Sequence, residues 1–414
     1  MLCRSPKRLK LYHTYVLRSP DRCLVLEHAR SRGADTSRFI HLQDLSLCRT
    51  PKEKVKKCTQ LVKLIVDEVT GLITKIPYGA RALKTHKKLP RRPVAPARDD
   101  EVHKSVSMSR DVRYDVGERC VMDIYVPANA RDAPVALFIH GGVWAAGEKW
   151  QFSLLAEHLA HEGIVACVAT YSLYPTADAV QMWDEVSRCI SFTMDNIGNY
   201  GGDAQRISLV GHSAGAQLCA RALLQRSGVK NVQSRTNTRK WHDDVRMPSK
   251  FVGLAGVYDV GYHYSYEDSR GVAIVSTMGR AMNGPENFDV CSPARLMPKR
   301  TSTIVSSPPG PIDLEGDKIA QMAGFSRRAK GDAATSTETF HFPPTILMAG
   351  CADVTVPWYE SADFHWKLQD AAVPSRLLLY LKEGHTEFVL DWDKKRPRDS
   401  LPPYSRDFLR ILKH

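Results

Sequence analysis

From about residue 110 onward, short apolar runs alternate with longer stretches of helical spacing. Val121–Pro127 alternates apolar with polar and ends in proline, the pattern of a half-buried strand. Val135–Ile139, Ile164–Ala169 and Ile207–Val210 are continuous apolar runs, as strands covered on both faces require. Phe251–Ala255, Thr345–Met348 and Leu377–Tyr380 supply further strands. Between them, Leu154–His161, Val180–Ile197, Ala214–Leu224 and Tyr359–Gln369 carry helical periodicity, with Met182, Val186, Cys189, Ile190 and Phe192 on one side of the second. Strand and helix in alternation predict an α/β domain, a mostly parallel central sheet with helices on both faces.

Two stretches interrupt this rhythm, one polar and basic near 228–250 and one rich in Ser, Thr, Pro and Gly near 299–339. Both are read as surface insertions, because structureless loops of that length are uncommon inside a compact domain. Upstream, residues 53–76 suit an amphipathic helix, with Val55, Leu61, Leu64, Ile65, Val69 and Leu72 on one side. Residues 84–104, crowded with Lys, Arg and Pro, read as a linker. The expected division is therefore a basic arm over 1–105 and an α/β domain over 106–414.

Charge sharpens that division. The formal net charge is +13, yet residues 1–100 hold 23 Lys and Arg against 9 Asp and Glu, so the remainder is close to neutral. A basic arm of this kind suits peripheral contact with an anionic membrane surface, and nucleic acid is not the expected partner. The first 20 residues hold five basic and no acidic side chains, a composition that suits a mitochondrial transit peptide, although Pro6 argues against a clean amphipathic helix and favours a solvated basic tail. No apolar run approaches the ~20 residues of a membrane span. The ten cysteines show no zinc spacing and lie largely in apolar stretches, so reduced core thiols are expected, in an intracellular setting, cytoplasmic or peripheral to an endomembrane. No metal or organic cofactor is expected.

Candidate chemistry lies at the strand ends. Gly211-His212-Ser213-Ala214-Gly215 follows a buried strand and opens a helix, the context in which a G-x-S-x-G pentapeptide exposes a nucleophilic serine on a tight turn. His140-Gly141-Gly142-Val143-Trp144 follows Val135–Ile139, where backbone amides can be aimed at a developing oxyanion. One donor is assigned to Gly142, with Val143 or Gly141 as alternatives, and the other to Ala214. His140 is expected to order the loop. A serine hydroxyl needs a base and an orienting acid, which in this arrangement follow the nucleophile in the order acid, then histidine. Asp353 stands just past Thr345–Met348, and His385 just past Leu377–Tyr380. Asp259, at the end of Phe251–Ala255, is the rival acid. His158 and His161, three apart on one helix, lack a third metal ligand and read as an exposed pair. Trp144, His212, Tyr258 and Tyr262 are candidate substrate-binding residues, with aromatic packing in the core the competing account of the ring-bearing loops.

With these elements assembled, the chain resembles an esterase branch of the α/β-hydrolase fold, the one that holds isoprenylcysteine methylesterases and kynurenine formamidases. The likeness rests on the His-Gly-Gly-Val-Trp and Gly-His-Ser-Ala-Gly segments, on Tyr200-Gly201-Gly202-Asp203, on Gly256-Val257-Tyr258-Asp259 and on Glu383-Gly384-His385-Thr386-Glu387. The methylesterases carry Thr and Gln where this chain has His140 and His212, whereas formamidases keep histidine at both positions. The resemblance implies hydrolysis of a small-molecule or prenylated-peptide ester, foremost the methyl ester of a prenylated cysteine. It leaves open an arylformamidase, a broad carboxylesterase or, from another class, a scaffold tethered to membrane or RNA by the basic arm.

Overall fold

The computed structural model describes residues 50–52, 75–92, 105–229, 246–273, 276–298, 340–392 and 398–414, together with the backbone of 12–18 and 23–29. Its core is one sheet. In chain order the strands are β1 Tyr12–Arg18, β2 Cys23–Ala29, β3 Ser107–Arg113, β4 Val121–Val126, β5 Ala133–Ile139, β6 Val165–Ala169, β7 Gly202–His212, β8 Lys250–Leu254, β9 Thr345–Gly350 and β10 Ser375–Tyr380. They lie side by side as β2-β1-β10-β9-β8-β7-β5-β6-β4-β3. From β6 through β5, β7, β8 and β9 to β10 every pairing is parallel, while β4 joins β6 and β3 joins β4 antiparallel.

Alternation along the central strands explains why both sheet faces are covered. In β5, Val135, Leu137 and Ile139 point into one apolar cluster and Ala136 and Phe138 into the other. The first cluster takes its helical side chains from Ala179–Asn196, Ala214–Arg226 and Trp358–Asp370. The second takes them from Ser153–His161 and Pro403–Lys413. The helix after β5 therefore covers one face and the helix after β7 the other, although β5 and β7 are neighbours. Connections that part to opposite faces open a crevice at the carboxyl ends of the two strands, the ligand-binding position of open α/β sheets.

The expected boundary at residue 105 is not a boundary in packing. Residues 75–88 form a helix whose inward positions, 78, 82, 85, 86 and 89, recur at helical spacing. Ala82 is fully buried in the second cluster, and the Tyr78 hydroxyl donates to the Val389 carbonyl at 3.4 Å. His86 Nε2 meets the buried Asp123 carboxylate at 2.8 Å. Residues 84–92 are thus part of the α/β body rather than a linker, because their lysines and arginines occupy the outward side of a helix that is apolar beneath. Arg92 extends the contact, its amide donating to the Met108 carbonyl at 2.9 Å.

Four elements were not anticipated from the apolar pattern. β3 has a polar sequence, Ser-Met-Ser-Arg-Asp-Val-Arg, and sits at the sheet edge with an irregularity between Ser109 and Val112. The pair β1 and β2 continues the opposite edge, with Arg18 registered against Tyr380. The closing helix Pro403–Lys413 buries Phe408, Leu409, Ile411 and Leu412. The amphipathic stretch 53–74, most of the first insertion and all of the second lie outside the described residues. Among the described residues no helix is long and apolar enough to cross a membrane. The cysteine reading fits the interior: Cys120, Cys167, Cys189, Cys219 and Cys291 are buried thiols.

Candidate active site

The β7 strand runs directly into the helix Ala214–Arg226, and Ser213 takes the corner with φ 53° and ψ −123°. A positive φ on a residue with a Cβ costs roughly 1–3 kcal/mol and persists only where surrounding contacts over-determine it. Here those contacts are visible. The Ser213 amide donates to the Leu254 carbonyl of β8 at 2.9 Å. A Cβ on Gly215 would fall 2.3 Å from the Ile139 carbonyl oxygen and 2.4 Å from that of His140. Only glycine lets the helix start sit against the end of β5. Gly215→Ala is therefore expected to destabilise the fold by about 1–3 kcal/mol or more, read as a lowered denaturation midpoint. A midpoint equal to wild type would show that the turn is not held in this way.

Beyond β5 the backbone twists through three successive residues of positive φ, Gly142 at 125°, Val143 at 47° and Trp144 at 60°. The loop lies against the serine, since a Cβ on Gly141 would fall 2.8 Å from the Ser213 Cβ. His140 fixes its root. The imidazole is fully buried, stacks on Tyr171 at 4.6 Å and bonds the Gly141 carbonyl through Nδ1 at 2.7 Å. The Tyr171 hydroxyl donates to the His140 carbonyl at 2.9 Å. Across the crevice, Ala214 is the first residue of its helix, so its N–H is one of the unpaired donors at a positive helix end. Gly141 thus lies against the serine, Gly142 and Val143 continue the same loop, and Ala214 follows the serine in the chain.

Asp353 and His385 meet from adjacent strand ends. Asp353 Oδ2 lies 2.7 Å from His385 Nδ1, and its carboxylate is fully shielded from solvent. The other carboxylate oxygen accepts the amides of Thr355 and Val356, each at 2.8 Å. Nδ1 is accordingly the protonated nitrogen and Nε2 the free base. The loops bearing the two groups are tied through main chain: the Cys351 amide donates to the Tyr380 carbonyl at 2.8 Å and the Ala352 amide to that of Glu383 at 3.1 Å. Asp259 is committed elsewhere. It caps the helix Val260–Arg270 by accepting the Tyr262 amide at 2.9 Å and pairs with Arg295 Nε at 2.9 Å.

Three of the four candidate substrate contacts prove to be internal. Trp144 is buried, with its indole N–H donating to Gln217 Oε1 at 3.0 Å, so it anchors the glycine loop to the core. Tyr258 is fully buried and stacked on Phe364 at 4.3 Å. His212, also buried, places Nε2 2.9 Å from the main-chain oxygen of His385 and its ring 4.9 Å from the His385 ring, so it positions the base rather than facing the crevice. Tyr262 alone is open to solvent, beside Tyr359. The metal-style pair also resolves differently from an exposed pair: His158 is buried edge-on to Trp392, while His161 is exposed. Gln217, missed in the sequence, joins Trp144 to the Cys291 carbonyl, which its amide reaches at 2.8 Å. Its signal was an amide in the apolar first half of the helix, four residues past the serine.

Burial also sets a pH limit on the fold. Desolvation pushes His140 and His365 down to about 4 and His212 down to about 3, so all three are neutral in the folded chain. Their folded values lie below the ordinary imidazole value, so stability is fully present above about pH 6.5 and is lost as pH falls toward 4, where the unfolded chain takes up protons first. His263 shifts the other way. Burial opposes its charge, but the Glu360 carboxylate at 2.6 Å outweighs that, so its contribution is complete below pH 6.5 and does not offset the loss. Urea midpoints measured from pH 8 to pH 4 should fall steeply below pH 6.5. A flat profile to pH 4.5 would contradict neutral burial of these rings.

Similarity to known proteins follows the same lines. The BD-FAE family model matches residues 122–305. The isoprenylcysteine alpha-carbonyl methylesterase of Arabidopsis thaliana is 28% identical over 298 residues, 72% of this chain and 61% of that protein. The kynurenine formamidase of Salmo salar is 32% identical over 114 residues, covering 27% and 37% of the two chains. The chain thus spans about three fifths of the methylesterase it matches. Among solved structures, an inhibited esterase B from Lactobacillus rhamnosis superposes with a TM-score of 0.56 at 16% identity, over 86% of this chain and 96% of that one. By its strand order and by these likenesses, the chain has the α/β-hydrolase fold and is similar in sequence to the BD-FAE, methylesterase and formamidase proteins.

Proposed function

We propose that the chain is a serine carboxylesterase with Ser213 as nucleophile, His385 as base and Asp353 as orienting acid. The observation that carries this is the buried Asp353 carboxylate bonded to His385 Nδ1, with His385 held against the residue preceding a strained serine. In the reaction His385 Nε2 takes the Ser213 proton as Oγ attacks the ester carbonyl. The amides of Gly142, with Val143 or Gly141 beside it, and of Ala214 stabilise the oxyanion. The imidazolium then protonates the departing alcohol, leaving an acyl-serine that a water activated by His385 hydrolyses. The chemistry calls for no metal or organic cofactor.

For the substrate we favour the methyl ester of a prenylated cysteine. The methylesterase likeness extends over 72% of the chain and the formamidase likeness over 27%. Methanol is a very small leaving group, so most of the binding surface must be apolar. Among the described residues, Val143, Tyr262 and Val354 are large apolar side chains open to solvent, at 46%, 48% and 64%. All three follow carboxyl ends of strands, namely β5, β8 and β9, and the helix that bears Tyr262 is tied to Val354 by the Tyr266 hydroxyl, which donates to the Val354 carbonyl at 2.7 Å. An isoprenoid chain could lie across them. Purified protein given farnesylcysteine methyl ester and N-formylkynurenine side by side should turn over the first at least ten times faster by kcat/KM. The reverse ranking would make it a formamidase, and turnover of neither would leave a general esterase.

A further inference from the structure

Arg221 lies on the helix that begins at the candidate nucleophile, fully buried, with its guanidinium 4.3 Å from the centre of the Trp183 ring. Nε, Nη1 and Nη2 all lack a hydrogen-bond partner among the described residues. The contrast with Arg226 on the same helix is direct: its Nη1 donates to both the carbonyl and hydroxyl of Ser187 and to the Ser191 hydroxyl, and its Nη2 donates to the Arg246 carbonyl. Burial lowers Arg221 only to about 10, so it is cationic at neutral pH. A buried cation with five idle donors is strongly unfavourable unless something pairs with it.

Asp184 acts on Arg221 through its charge at a distance, and its hydrogen bond goes elsewhere. Asp184 accepts from Gln225 Nε2 at 2.6 Å, and Asp178 accepts from the Gln181 amide at 3.0 Å and from Asn283 Nδ2 at 2.7 Å. Instead Arg221 lines a cavity of about 50 Å³, with Val180, Trp183, Met282, Asn287 and Cys291 among its walls. Asn283, on its rim, is exposed and gives it a route to solvent. The space suits a few atoms, comparable with a small cluster of waters, and is far too small for an aromatic or isoprenoid group. Its walls are mostly apolar, and the guanidinium offers a planar fork for a carboxylate or a point charge for a halide.

We propose that this cavity is a binding site for a small monovalent anion held by Arg221. Its occupancy bears on the crevice through covalently short links. Arg221 is eight residues past Ser213, roughly 12 Å along the helix. Cys291, in the cavity wall, is bonded through its carbonyl to Gln217, which in turn holds Trp144 of the glycine loop. The anion would therefore brace the wall to which that loop is moored.

The test is the thermal midpoint of the full chain at constant ionic strength. Sodium formate, and separately sodium chloride, replaces sodium gluconate, whose anion is too large for the cavity. A saturable rise of about 4 °C at one hundred times Kd is expected with at least one anion, and the two arms separate carboxylate from halide. Arg221→Met should abolish that rise. No saturable rise in wild type with either anion, or an equal rise in the variant, would overturn the proposal. Should the variant not fold, bromide-soaked wild-type crystals decide: an anomalous peak against the guanidinium supports the site, and an empty or water-filled cavity refutes it.

Discussion

Replacing Ser213 by alanine should lower kcat/KM on a small chromogenic ester by on the order of 10⁴–10⁶-fold, with the denaturation midpoint unchanged or raised. The reasoning has two parts. On the proposed mechanism, removing Oγ removes the attacking atom, so the residual rate reflects the amides of Gly142 and Ala214 and simple binding. Meanwhile the turn is held by main-chain contacts, the Ser213 amide to Leu254 and the glycine at 215 against β5, none of which needs the hydroxyl. Alanine fits the corner as readily as serine does. Activity within tenfold of wild type, in a variant shown to be folded, would remove Ser213 from the mechanism.

The second large effect separates two carboxylates that look alike in the sequence. Asp353→Asn keeps the shape and can still accept the Thr355 and Val356 amides, but its NH₂ now faces His385 Nδ1. That donor favours the tautomer with the proton on Nε2, which cannot accept from Ser213, and a loss of about 10⁴ in kcat is expected. Asp259→Asn should behave differently. Asparagine caps a helix as well as aspartate does, and the partly exposed pair with Arg295 contributes little, so kcat should stay within about threefold and stability within about 1 kcal/mol. Equal losses in the two variants would mean that the acid has been wrongly chosen. A shallow pH–rate shift in place of a fall in kcat for Asp353→Asn would point the same way.

Most of the scaffold was legible because it repeats a simple rule. The central strands are apolar on both faces and the helices between them on one, and that contrast survives in a single sequence. The candidate triad was legible for a related reason: each member stands within a few residues of a strand's carboxyl end. What was not legible depended on direction rather than position. Trp144 and Tyr258 belong to edge loops by residue number, yet their side chains turn inward, toward Gln217 and Phe364. His212 reads as a pocket residue because it precedes the serine, but strand alternation carries its ring sideways to the backbone of His385. The polar β3 strand carries too weak an apolar alternation to be seen, and it forms because β4 offers an open edge.

The helix over residues 75–88 redraws the minimal folding unit. A chain trimmed at residue 105, where the charge balance changes, would lose His86 and strip the Asp123 carboxylate of a neighbour, leaving it with the Asp111 amide at 2.9 Å and Lys149 at 3.8 Å. The pocket filled by Ala82 would open and the Val389 carbonyl would lose the Tyr78 hydroxyl, only four residues from His385. Such a truncation would therefore weaken the packing behind His385, so the α/β body takes in residues 75–92 as well, well inside the segment that composition assigns to a tether.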